Sequence, residues 1–431
     1  MKVQATRGVT CTVRSADDNL VRMTLNAGTQ FGILGSGQLA RMLCEAAHRL
    51  GLSPVVLCQN PGDPAAQVCP KAVLGSIKDI AVLKDFFSRV SHVAFENEFV
   101  PCGILERASF GMPVRFFPPL RSLAFLQDKL NQKSVLNRLK IPTSRHMIGD
   151  LPGNWLPWLH QMLDHFGEGG DSECVLKWAQ QGYDGKGTFF LNRRPEILDQ
   201  AVAFCNEAEL RGIRIYAEER ITFKRELAIV SCHSEQHGFA HYPLVISEQK
   251  NGICHRVWGP AMSLGVAPKL AREARRHAEK LAQALQLYGT FAIEFFESRG
   301  GRLLVNEIAP RVHNTGHYTM NASETDQFEN HLRAMFDLPL GSTRTAPGFA
   351  MQNLLGPSLE AHGAHSVAMP EPTERLHVHW YGKHDLKPGR KLGHVNGVTD
   401  SPGKVKKLLA EMESTVEEWR KRARKSNRGS K

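Results

Sequence analysis

One stretch of this sequence, residues 306–317, has the order Asn306-Glu307-Ile308-Ala309-Pro310-Arg311-Val312-His313-Asn314-Thr315-Gly316-His317. An apolar run, residues 291–296, lies just upstream, and a Gly-Gly pair at residues 300 and 301 separates the two segments, which predicts a β-hairpin. If the hairpin turns symmetrically between the glycines, Glu294 and Glu307 lie opposite each other, where like charges destabilise the pairing. A divalent cation would remove that repulsion and prefers carboxylate oxygens. The pair therefore predicts a metal site, and an exposed pair that splays into water is the alternative.

The composition is that of an ordinary globular protein. The chain has 431 residues, 42% of them hydrophobic and 23% charged, which leaves room for two or three domains. No run of about 18 apolar residues and no secretory signal is present, so we expect no membrane contact. The nine cysteines show no CxxC spacing and indicate reduced thiols, as in a cytoplasmic protein.

The net charge of +11 is concentrated at the ends of the chain. Residues 404–431 hold ten Lys or Arg against four Glu. We expect a solvated basic tail that catalysis does not need, and contact with nucleic acid is the less favoured alternative. Within it, residues 405–419 could form a short helix that docks on the protein body through Leu408, Leu409, Met412 and Val416. Residues 1–30 are expected to be a disordered leader.

The region after the leader has a βαβ pattern. A short apolar strand, residues 31–34, is followed by a Gly-x-Gly-x-x-Ala turn at residues 35–40, a helix to Leu50 and a second strand at residues 54–57. This order predicts a Rossmann-like domain whose turn can approach an anion. A bound NAD would need an acidic residue after the second strand, and Cys58 and Gln59 stand there instead.

Three further segments organise the rest of the chain. Residues 174–177 predict a strand, and the glycine-rich residues 182–187 predict a flexible loop that differs from a P-loop. Apolar residues at helical spacing predict a helix over residues 270–287, stopped by Gly289. Residues 376–396 predict a final β-rich piece, in which a His-x-His pattern indicates packing more than zinc binding.

These motifs together resemble the ATP-grasp ligases, and within them the 5-(carboxyamino)imidazole ribonucleotide synthases. The resemblance extends from about residue 31 to residue 400. Its matching strings, in chain order, are residues 33–43, 95–97, 127–133, 182–187, 242–244, 306–317, 327–334, 381–383 and 389–394.

The resemblance implies an α/β chain with the ATP-grasp fold, an N-terminal Rossmann-like (pre-ATP-grasp) domain and a small C-terminal β-rich piece. The implied divisions are an extra leader, a Rossmann-like domain, an ATP-grasp small (lid) domain, an ATP-grasp large domain that carries the C-terminal substrate-phosphate element, and a basic tail. In that order they span residues 1–30, 31–136, 137–218, 219–403 and 404–431.

The resemblance also implies a reaction. ATP phosphorylates bicarbonate to carboxyphosphate, which delivers CO2 to the amine of aminoimidazole ribonucleotide, in purine biosynthesis. ATP with Mg2+ (Mn2+ as an alternative) and bicarbonate are implied, together with a homodimer in the cytoplasm. Phosphoryl transfer to the weak nucleophile bicarbonate depends on positioning and charge neutralisation.

Site residues carry over by their place in the matching strings. The implied metal ligands are Glu294 and Glu307. The implied nucleotide contacts are Lys129, Lys177, Gly182, Gly185, Lys186, Gly187, Glu218, Glu219, Ile221, Glu226 and Asn306. The implied residues of the bicarbonate and carboxyphosphate pocket are Arg311, His313, Asn314 and His317, and Asp184 is implied as a further catalytic residue. The implied contacts of the ribonucleotide are Tyr183, Asp184, Lys383, Arg390 and Lys391.

The sequence departs from the family pattern at three positions, and it leaves several rival functions open. Thr188 replaces the usual Gln at the end of the lid, Thr315 replaces Ser, and Ala40 replaces Gly. The rival functions are a biotin-carboxylase-like or formate-dependent transformylase-like enzyme, an NAD-dependent oxidoreductase and an inactive nucleotide sensor. Retention of both Glu294 and Glu307 argues against an inactive protein.

Overall fold

A computed structural model describes residues 10–13, 21–24, 29–149, 152–167, 173–182, 185–356, 368–384 and 386–426. In this described part of the chain, no helix is long and apolar enough to cross a membrane. Within the leader, β1 (Thr10–Val13) pairs antiparallel with β2 (Val21–Thr24), which differs from the expected disorder. The eight cysteines whose side chains the structure describes are free thiols.

The N-terminal domain is a five-stranded parallel sheet in the order β5-β4-β3-β6-β7. Its elements are β3 (Gln30–Leu34), α1 (Gln38–Arg49), β4 (Ser53–Cys58), β5 (Ala72–Leu74), α2 (Ile80–Ser88), β6 (His92–Phe95), α3 (Cys102–Ser109) and β7 (Arg115–Phe117). Apolar side chains are buried on both faces of the sheet, as parallel sheets require. This confirms the predicted Rossmann-like opening.

Two helices connect this domain to the rest of the chain, α4 (Leu120–Leu126) and α5 (Lys129–Arg138). The carboxylate of Asp128 caps α5 by accepting from the backbone N–H groups of Leu130 and Asn131. Val135 and Leu136 of α5 belong to the same buried cluster as the large domain. The helix therefore crosses the boundary predicted at residue 136.

The small domain is a four-stranded antiparallel sheet in the order β10-β9-β11-β8. Its elements are β8 (His146–Ile148), α6 (Trp155–Phe166), β9 (Cys174–Trp178), β10 (Thr188–Leu191), α7 (Pro195–Leu210) and β11 (Ile215–Glu219). Its two helices share one apolar core with the sheet, so this unit has its own hydrophobic interior.

The large domain is a nine-stranded antiparallel sheet in the order β17-β16-β12-β14-β15-β18-β20-β19, with β13 paired to β12. The strands are β12 (Phe223–Ser234), β13 (Gly238–His241), β14 (Val245–Lys250), β15 (Ile253–Gly259), β16 (Gly289–Ser298), β17 (Leu303–Ala309), β18 (Gly348–Leu355), β19 (Leu376–Trp380) and β20 (Lys391–Thr399). The helices are α8 (Pro268–Leu285), α9 (Thr319–Ala322), α10 (Gln327–Met335) and α11 (Val405–Ser426). The predicted C-terminal β-rich piece is thus an extension of this sheet.

The predicted hairpin is formed by β16 and β17, and Glu294 does pair with Glu307. Two departures from the symmetric turn cancel each other. The turn closes one residue earlier than assumed, because the backbone N–H of Ser298 donates to the carbonyl of Arg302. A β-bulge then adds one residue, since Phe295 pairs with Val305 and leaves Asn306 unpaired. The predicted pairing of the two glutamates is confirmed, although the predicted symmetric turn was wrong.

The end of α8 also differs from the prediction. The helix stops at Gln286, which adopts the left-handed conformation (φ 49°) of a C-terminal cap. Gly289 is instead the first residue of β16, with φ 92°. An added Cβ there would lie 2.7 Å from the ring of His331, so this glycine allows α10 to approach the sheet.

In the described part of the basic tail, residues 405–426 form a long helix that packs on the large sheet. Helix α11 buries Leu408, Met412, Val416 and Trp419 in one cluster with residues of β18 and β20. The indole N–H of Trp419 donates to the carbonyl of Ala368 at 2.7 Å. Docking through the predicted apolar side is confirmed, but the helix is longer than residues 405–419 and belongs to the core.

Candidate active site

The two glutamates of the hairpin lie in a cleft between the domains with a volume of about 490 Å³. Burial first, and then the charge of Glu307, raise the pKa of Glu294 to about 7. The Nζ of Lys129, at the start of α5, lies 3.1 Å from Oε2 of Glu307. Two partly buried carboxylates with excess negative charge suit a divalent cation. Among the described residues, no group of three or more His, Cys, Asp or Glu forms a complete metal site, so other oxygen ligands would have to complete it.

A buried ionic network lies beside these carboxylates. Glu218 of β11 accepts from the hydroxyl of Ser144 at 2.7 Å and pairs with Lys133 at 2.9 Å and with Lys177. Burial opposes ionisation of Glu218, but the two lysines lower the pKa of its carboxyl well below the usual range. Glu218 is therefore the counter-charge of Lys177 and Lys133, and its contact with a nucleotide stays a prediction.

The β-bulge gives Asn306 a place in the same network. Its side-chain oxygen accepts from Nζ of Lys177 at 3.2 Å. A bulge next to a site re-aims a side chain that regular pairing would direct elsewhere. Lys177 is thereby held between the carboxylate of Glu218 and the amide of Asn306, on the small-domain side of the cleft.

The segment after β17 carries the cationic part of the site. Arg311 forms a two-bond ion pair with the carboxylate of Glu98, one bond being 3.1 Å long. Glu98 comes from the N-terminal domain and is 8% exposed. The charge and hydrogen bonds of Glu98 overcome burial and raise the pKa of the Arg311 guanidinium. The sequence analysis missed Glu98, because nothing local links residues 213 positions apart.

Gln327 holds the loop that contains His313 and Asn314. Its side chain accepts from the backbone N–H of His313 at 2.9 Å and donates to the carbonyl of the same residue at 2.7 Å. Gly316 is required for this close packing, because an added Cβ would lie 2.6 Å from the Gln327 amide. Asn314 exchanges amide hydrogen bonds with Asn353 of β18 at 3.1 and 2.7 Å. The loop is therefore fixed before any ligand arrives.

The two histidines of this loop are uncharged at neutral pH. Burial first, and then the positive charges of Arg311 and Lys391, lower the pKa of both His313 and His317 well below the usual range. The hydroxyl of Thr315, which replaces the family's Ser, lies 2.8 Å from Nδ1 of His313. Nε2 of that ring lies 3.9 Å from Glu294. Positive charge for an anion thus comes from the arginine and the lysine.

The glycine-rich turn before α1 binds a carboxylate of the protein itself. The backbone N–H of Gly37 donates to Oε2 of Glu96 at 2.6 Å, and an added Cβ at Gly37 would lie 2.0 Å from Oε1. Burial raises the pKa of Glu96, while the nearby charges of Lys383 and Arg311 act against it. This carboxylate lies where the phosphates of NAD would bind, which counts against the oxidoreductase alternative. The motif Phe95-Glu96-Asn97 at the end of β6 could have identified it.

The glycine-rich lid lies against the large domain. Gly185 (φ +79°) has no room for a side chain, because an added Cβ would lie 2.8 Å from the carbonyl of Asn251. Gly187 (φ +72°) accepts from the backbone N–H of Trp178 at 2.9 Å. Lys186 is exposed on the lid. Tyr183 and Asp184, both predicted site residues, lie outside the described residues.

The segment predicted to bind the substrate phosphate begins at a turn that docks on the N-terminal domain. Gln67 donates to the carbonyl of Gly382 at 2.6 Å, and Arg41 donates to the carbonyl of Tyr381 at 3.5 Å. Nζ of Lys383 lies 5.6 Å from the centre of the Tyr381 ring. These contacts place Lys383 where the C-terminal element meets the N-terminal domain.

The cleft brings together the predicted metal ligands and the predicted bicarbonate pocket, but few of the other predicted site residues. Its lining includes eight predicted residues: Gly182, Glu294, Glu307, Arg311, His313, Asn314, His317 and Lys391. It also includes residues without a predicted role, among them Gln38, Glu96, Glu98 and Gln249. Other predicted residues lie outside the lining: Lys129, Lys177, Gly185, Lys186, Gly187, Glu218, Glu219, Ile221, Glu226, Asn306, Lys383 and Arg390.

Glu219 and Glu226, which also lie outside the lining, accept hydrogen bonds from neighbouring residues. Glu219 accepts from the backbone N–H and the guanidinium of Arg145, at 2.9 and 2.8 Å. Glu226 accepts from the backbone N–H of Gln249 at 3.2 Å, and burial raises the pKa of its carboxyl. Glu226 is therefore a neighbour of Gln249, which lines the cleft. Glu219 is paired with Arg145 within the small domain.

Comparison with known families agrees with this architecture along nearly the whole chain. Residues 29–127 match the ribonucleotide synthetase preATP-grasp domain, residues 134–328 match the ATP-grasp domain, and residues 350–408 match the phosphoribosylaminoimidazole carboxylase C-terminal domain. The last match reaches into α11, so the family likeness extends beyond the boundary predicted at residue 403.

Individual relatives are similar over most of their length. The N5-carboxyaminoimidazole ribonucleotide synthase of Synechococcus elongatus is 36% identical over 89% of this chain and 94% of its own. The enzyme of that name from Mycobacterium leprae is 34% identical over 92% of this chain and 90% of its own.

Solved structures give the same result. The N5-carboxyaminoimidazole ribonucleotide synthetase of Thermus thermophilus is 34% identical, with a TM-score of 0.75 over 90% of this chain and 98% of its own. An Aspergillus clavatus synthase solved with ADP and 5-aminoimidazole ribonucleotide is 28% identical, with a TM-score of 0.77 over 91% of this chain and 99% of its own. The chain belongs to the N5-carboxyaminoimidazole ribonucleotide synthase family of ATP-grasp ligases.

Proposed function

We propose that this protein carboxylates 5-aminoimidazole ribonucleotide with bicarbonate and ATP, giving N5-carboxyaminoimidazole ribonucleotide, ADP and phosphate in purine biosynthesis. One observation carries the proposal. The paired carboxylates of Glu294 and Glu307 share a single cleft with Arg311, the neutral histidines and Lys391. Such a cleft can hold a metal-bound triphosphate and a small anion side by side, which phosphoryl transfer to bicarbonate requires.

The nucleotide would bind on the side of the cleft that faces the small domain. Glu294 and Glu307 would hold Mg2+, or Mn2+ in its place, and the ion would neutralise charge on the phosphates. Lys129 and Lys177 already point into this region through Glu307 and Asn306, so both can exchange a protein partner for phosphate oxygens. The lid, residues 182–187, would cover the phosphates. Glu219, Ile221 and Glu226 would contact the adenosine end.

Bicarbonate would bind beside Arg311. The guanidinium supplies a fixed positive charge, and its bond to Glu98 holds the group in place. His313, Asn314 and His317 supply hydrogen bonds without further charge. The γ-phosphoryl group passes from ATP to a bicarbonate oxygen, giving ADP and carboxyphosphate, which then separates into CO2 and phosphate. The substrate amine attacks CO2 and loses a proton, for which Asp184 is the proposed acceptor.

The ribonucleotide would occupy the side of the cleft nearest the N-terminal domain. Lys383, Arg390 and Lys391 would contact its 5′-phosphate, and Tyr183 and Asp184 would approach from the lid. The docking of Gly382 on Gln67 supports this arrangement, because it brings the C-terminal element against the N-terminal domain. We further propose a homodimer in the cytoplasm that contacts neither membrane nor nucleic acid.

Release of ADP from purified protein tests the function directly. At fixed bicarbonate and Mg2+, we expect release to depend on added aminoimidazole ribonucleotide and to accompany carboxylation of its amine. If formate replaces bicarbonate, or if biotin replaces the ribonucleotide, ADP release should fall to the background level. Turnover with formate or biotin would instead favour the transformylase-like or biotin-carboxylase-like alternative.

A further inference from the structure

Three histidine rings form a continuous stack that leads from the large sheet to the cleft. His379 of β19 and His394 of β20 are cross-strand partners, and their ring centres lie 4.5 Å apart with planes 12° from parallel. His317 covers the other face of His394 at 4.8 Å and 29°. His317 and His394 are completely buried. Of the three rings, His317 is the one that lines the cleft.

Hydrogen bonds fix both ends of the stack. Nε2 of His379 donates to the side-chain oxygen of Asn321 at 2.7 Å, because a carbonyl oxygen can only accept. Asn396 donates to that same oxygen and to the backbone carbonyl of His317, both at 2.8 Å. His394 is bound through Nδ1 to the hydroxyl of Tyr381 at 2.8 Å. The stack is therefore tied to β19, β20 and α9.

The surroundings of the stack disfavour positive charge on any of the rings. The titratable groups that face His317 are Arg311 and Lys391, together with the histidines themselves and His313. His394 faces His379, His317 and Tyr381, and among the described groups His377 acts on His379 but not on His394 or His317. Within the described part of the chain, no carboxylate acts on His317 or His394. Two charged rings at these distances would repel in a site that excludes water.

A ring nitrogen of His317 that lacks a hydrogen-bond partner among the described atoms indicates the role of the stack. Among the described atoms, Nε2 of His317 and Nε2 of His394 are both buried without a hydrogen-bond partner, and of these two rings only that of His317 lines the cleft. Buried polar atoms normally have a partner, and an exception at a cleft indicates a group that awaits a ligand. Nδ1 of the same ring is 3.4 Å from the side chain of Gln327, which leaves Nε2 as the available nitrogen.

We infer that His394 is a positioning residue that, together with His379, fixes the ring of His317 at the cleft as an uncharged hydrogen-bonding group. Because His317 touches the pocket proposed for bicarbonate, this inference rests on the proposed function. A neutral ring can bind the phosphorylated intermediate without adding to the charge of Arg311 and Lys391. His394 and His379 act only through His317 and touch no substrate.

Two variants of His394 separate ring packing from general stability. His394→Ala removes the middle ring and lets water reach His317. We expect kcat/KM for bicarbonate to fall more than tenfold, and the acid limb of its pH profile to move to higher pH. The double variant His394→Phe with Tyr381→Phe keeps an aromatic ring and leaves no buried hydroxyl without a partner. We expect it to stay within threefold of the wild type with an unchanged pH profile.

His377→Gln is the matched control, since this exposed histidine lies on the same strand as His379 but outside the stack. It should match the wild type in rate and pH profile. A His394→Ala variant with the wild-type pH profile overturns the inference. So does a phenylalanine variant that is as slow as the alanine variant at wild-type thermal stability.

Nuclear magnetic resonance of the histidine rings provides a test that needs no turnover. In wild-type protein, the ring of His317 should stay neutral as the pH falls through the ordinary histidine value of about 6.5. In His394→Ala it should become protonated at higher pH. Protonation of His317 near pH 6.5 in the wild type overturns the inference even if the proposed reaction is confirmed. A neutral ring in an enzyme that does not carboxylate the ribonucleotide would refute the proposed function alone.

Discussion

Glu294→Gln should make the ligand-free protein more stable while destroying its activity. Burial first, and then the charge of Glu307, raise the pKa of Glu294 from 4.5 to about 7. At about 1.4 kcal/mol for each pH unit, this difference corresponds to roughly 3 kcal/mol. A carboxyl with a raised pKa contributes stability that is fully present below pH 4.5 and is lost as the pH rises through 7. Glutamine has no charge to bury, so the variant avoids that loss.

Thermal unfolding in the presence of a chelator measures the effect. An unfolding entropy of about 2.1 cal/mol/K per residue, over 431 residues, gives about 0.9 kcal/mol/K, so roughly 3 kcal/mol shifts the Tm by about 3 °C. Relative to the wild type, we expect the Tm of Glu294→Gln to be unchanged at pH 5 and about 3 °C higher at pH 8. ATP turnover should fall at least a hundredfold, which corresponds to about 2.7 kcal/mol of transition-state stabilisation.

Glu374→Gln is the control, because that carboxylate is exposed on the large domain. Its Tm should follow the wild type at both pH values. If the Tm of Glu294→Gln relative to the wild type is the same at pH 5 and at pH 8, the two buried carboxylates do not repel each other as proposed. If the variant also keeps turnover within threefold of the wild type, the metal assignment fails as well.

Three other predictions concern the second carboxylate, the substrate element and the C-terminal helix. Glu307→Gln should lower ATP turnover at least a hundredfold and leave the fold intact, as circular dichroism would show; turnover within threefold would contradict the metal site. Arg390→Ala should raise the KM for aminoimidazole ribonucleotide more than tenfold and leave ATP affinity unchanged, since a charge-assisted bond to phosphate contributes about 1.5–3 kcal/mol. Equal weakening of both ligands would indicate a structural role. Trp419→Ala should lower the free energy of unfolding by about 3–5 kcal/mol with kcat nearly unchanged, as denaturant unfolding and steady-state kinetics would show. Truncation after Gly403 should then prevent stable folding, and a soluble, active truncated protein would restore the view of a dispensable tail.

The sequence alone determined features that depend on local pattern. The βαβ opening follows from alternating apolar strand and helix segments around Gly35 and Gly37. The facing of Glu294 and Glu307 follows from the spacing of two apolar runs about a glycine turn, and the bulge at Asn306 compensates for the error in the turn. The amphipathic side of α11 was also visible, because Leu408, Met412 and Val416 recur at helical spacing.

Tertiary structure decided the contacts that join distant segments. The carboxylate of Glu98 holds Arg311 across 213 residues, and Glu96 binds the turn at Gly37 across 59. The periodicity of the sequence does not predict such pairs, because either side chain could face water until packing of the domains excludes the water. The same holds for the stack of His317 on His394, which exists only because β19 and β20 join the large sheet. Local pattern thus determined which residues form each strand and helix, whereas burial between domains decided which charges and rings meet in the cleft.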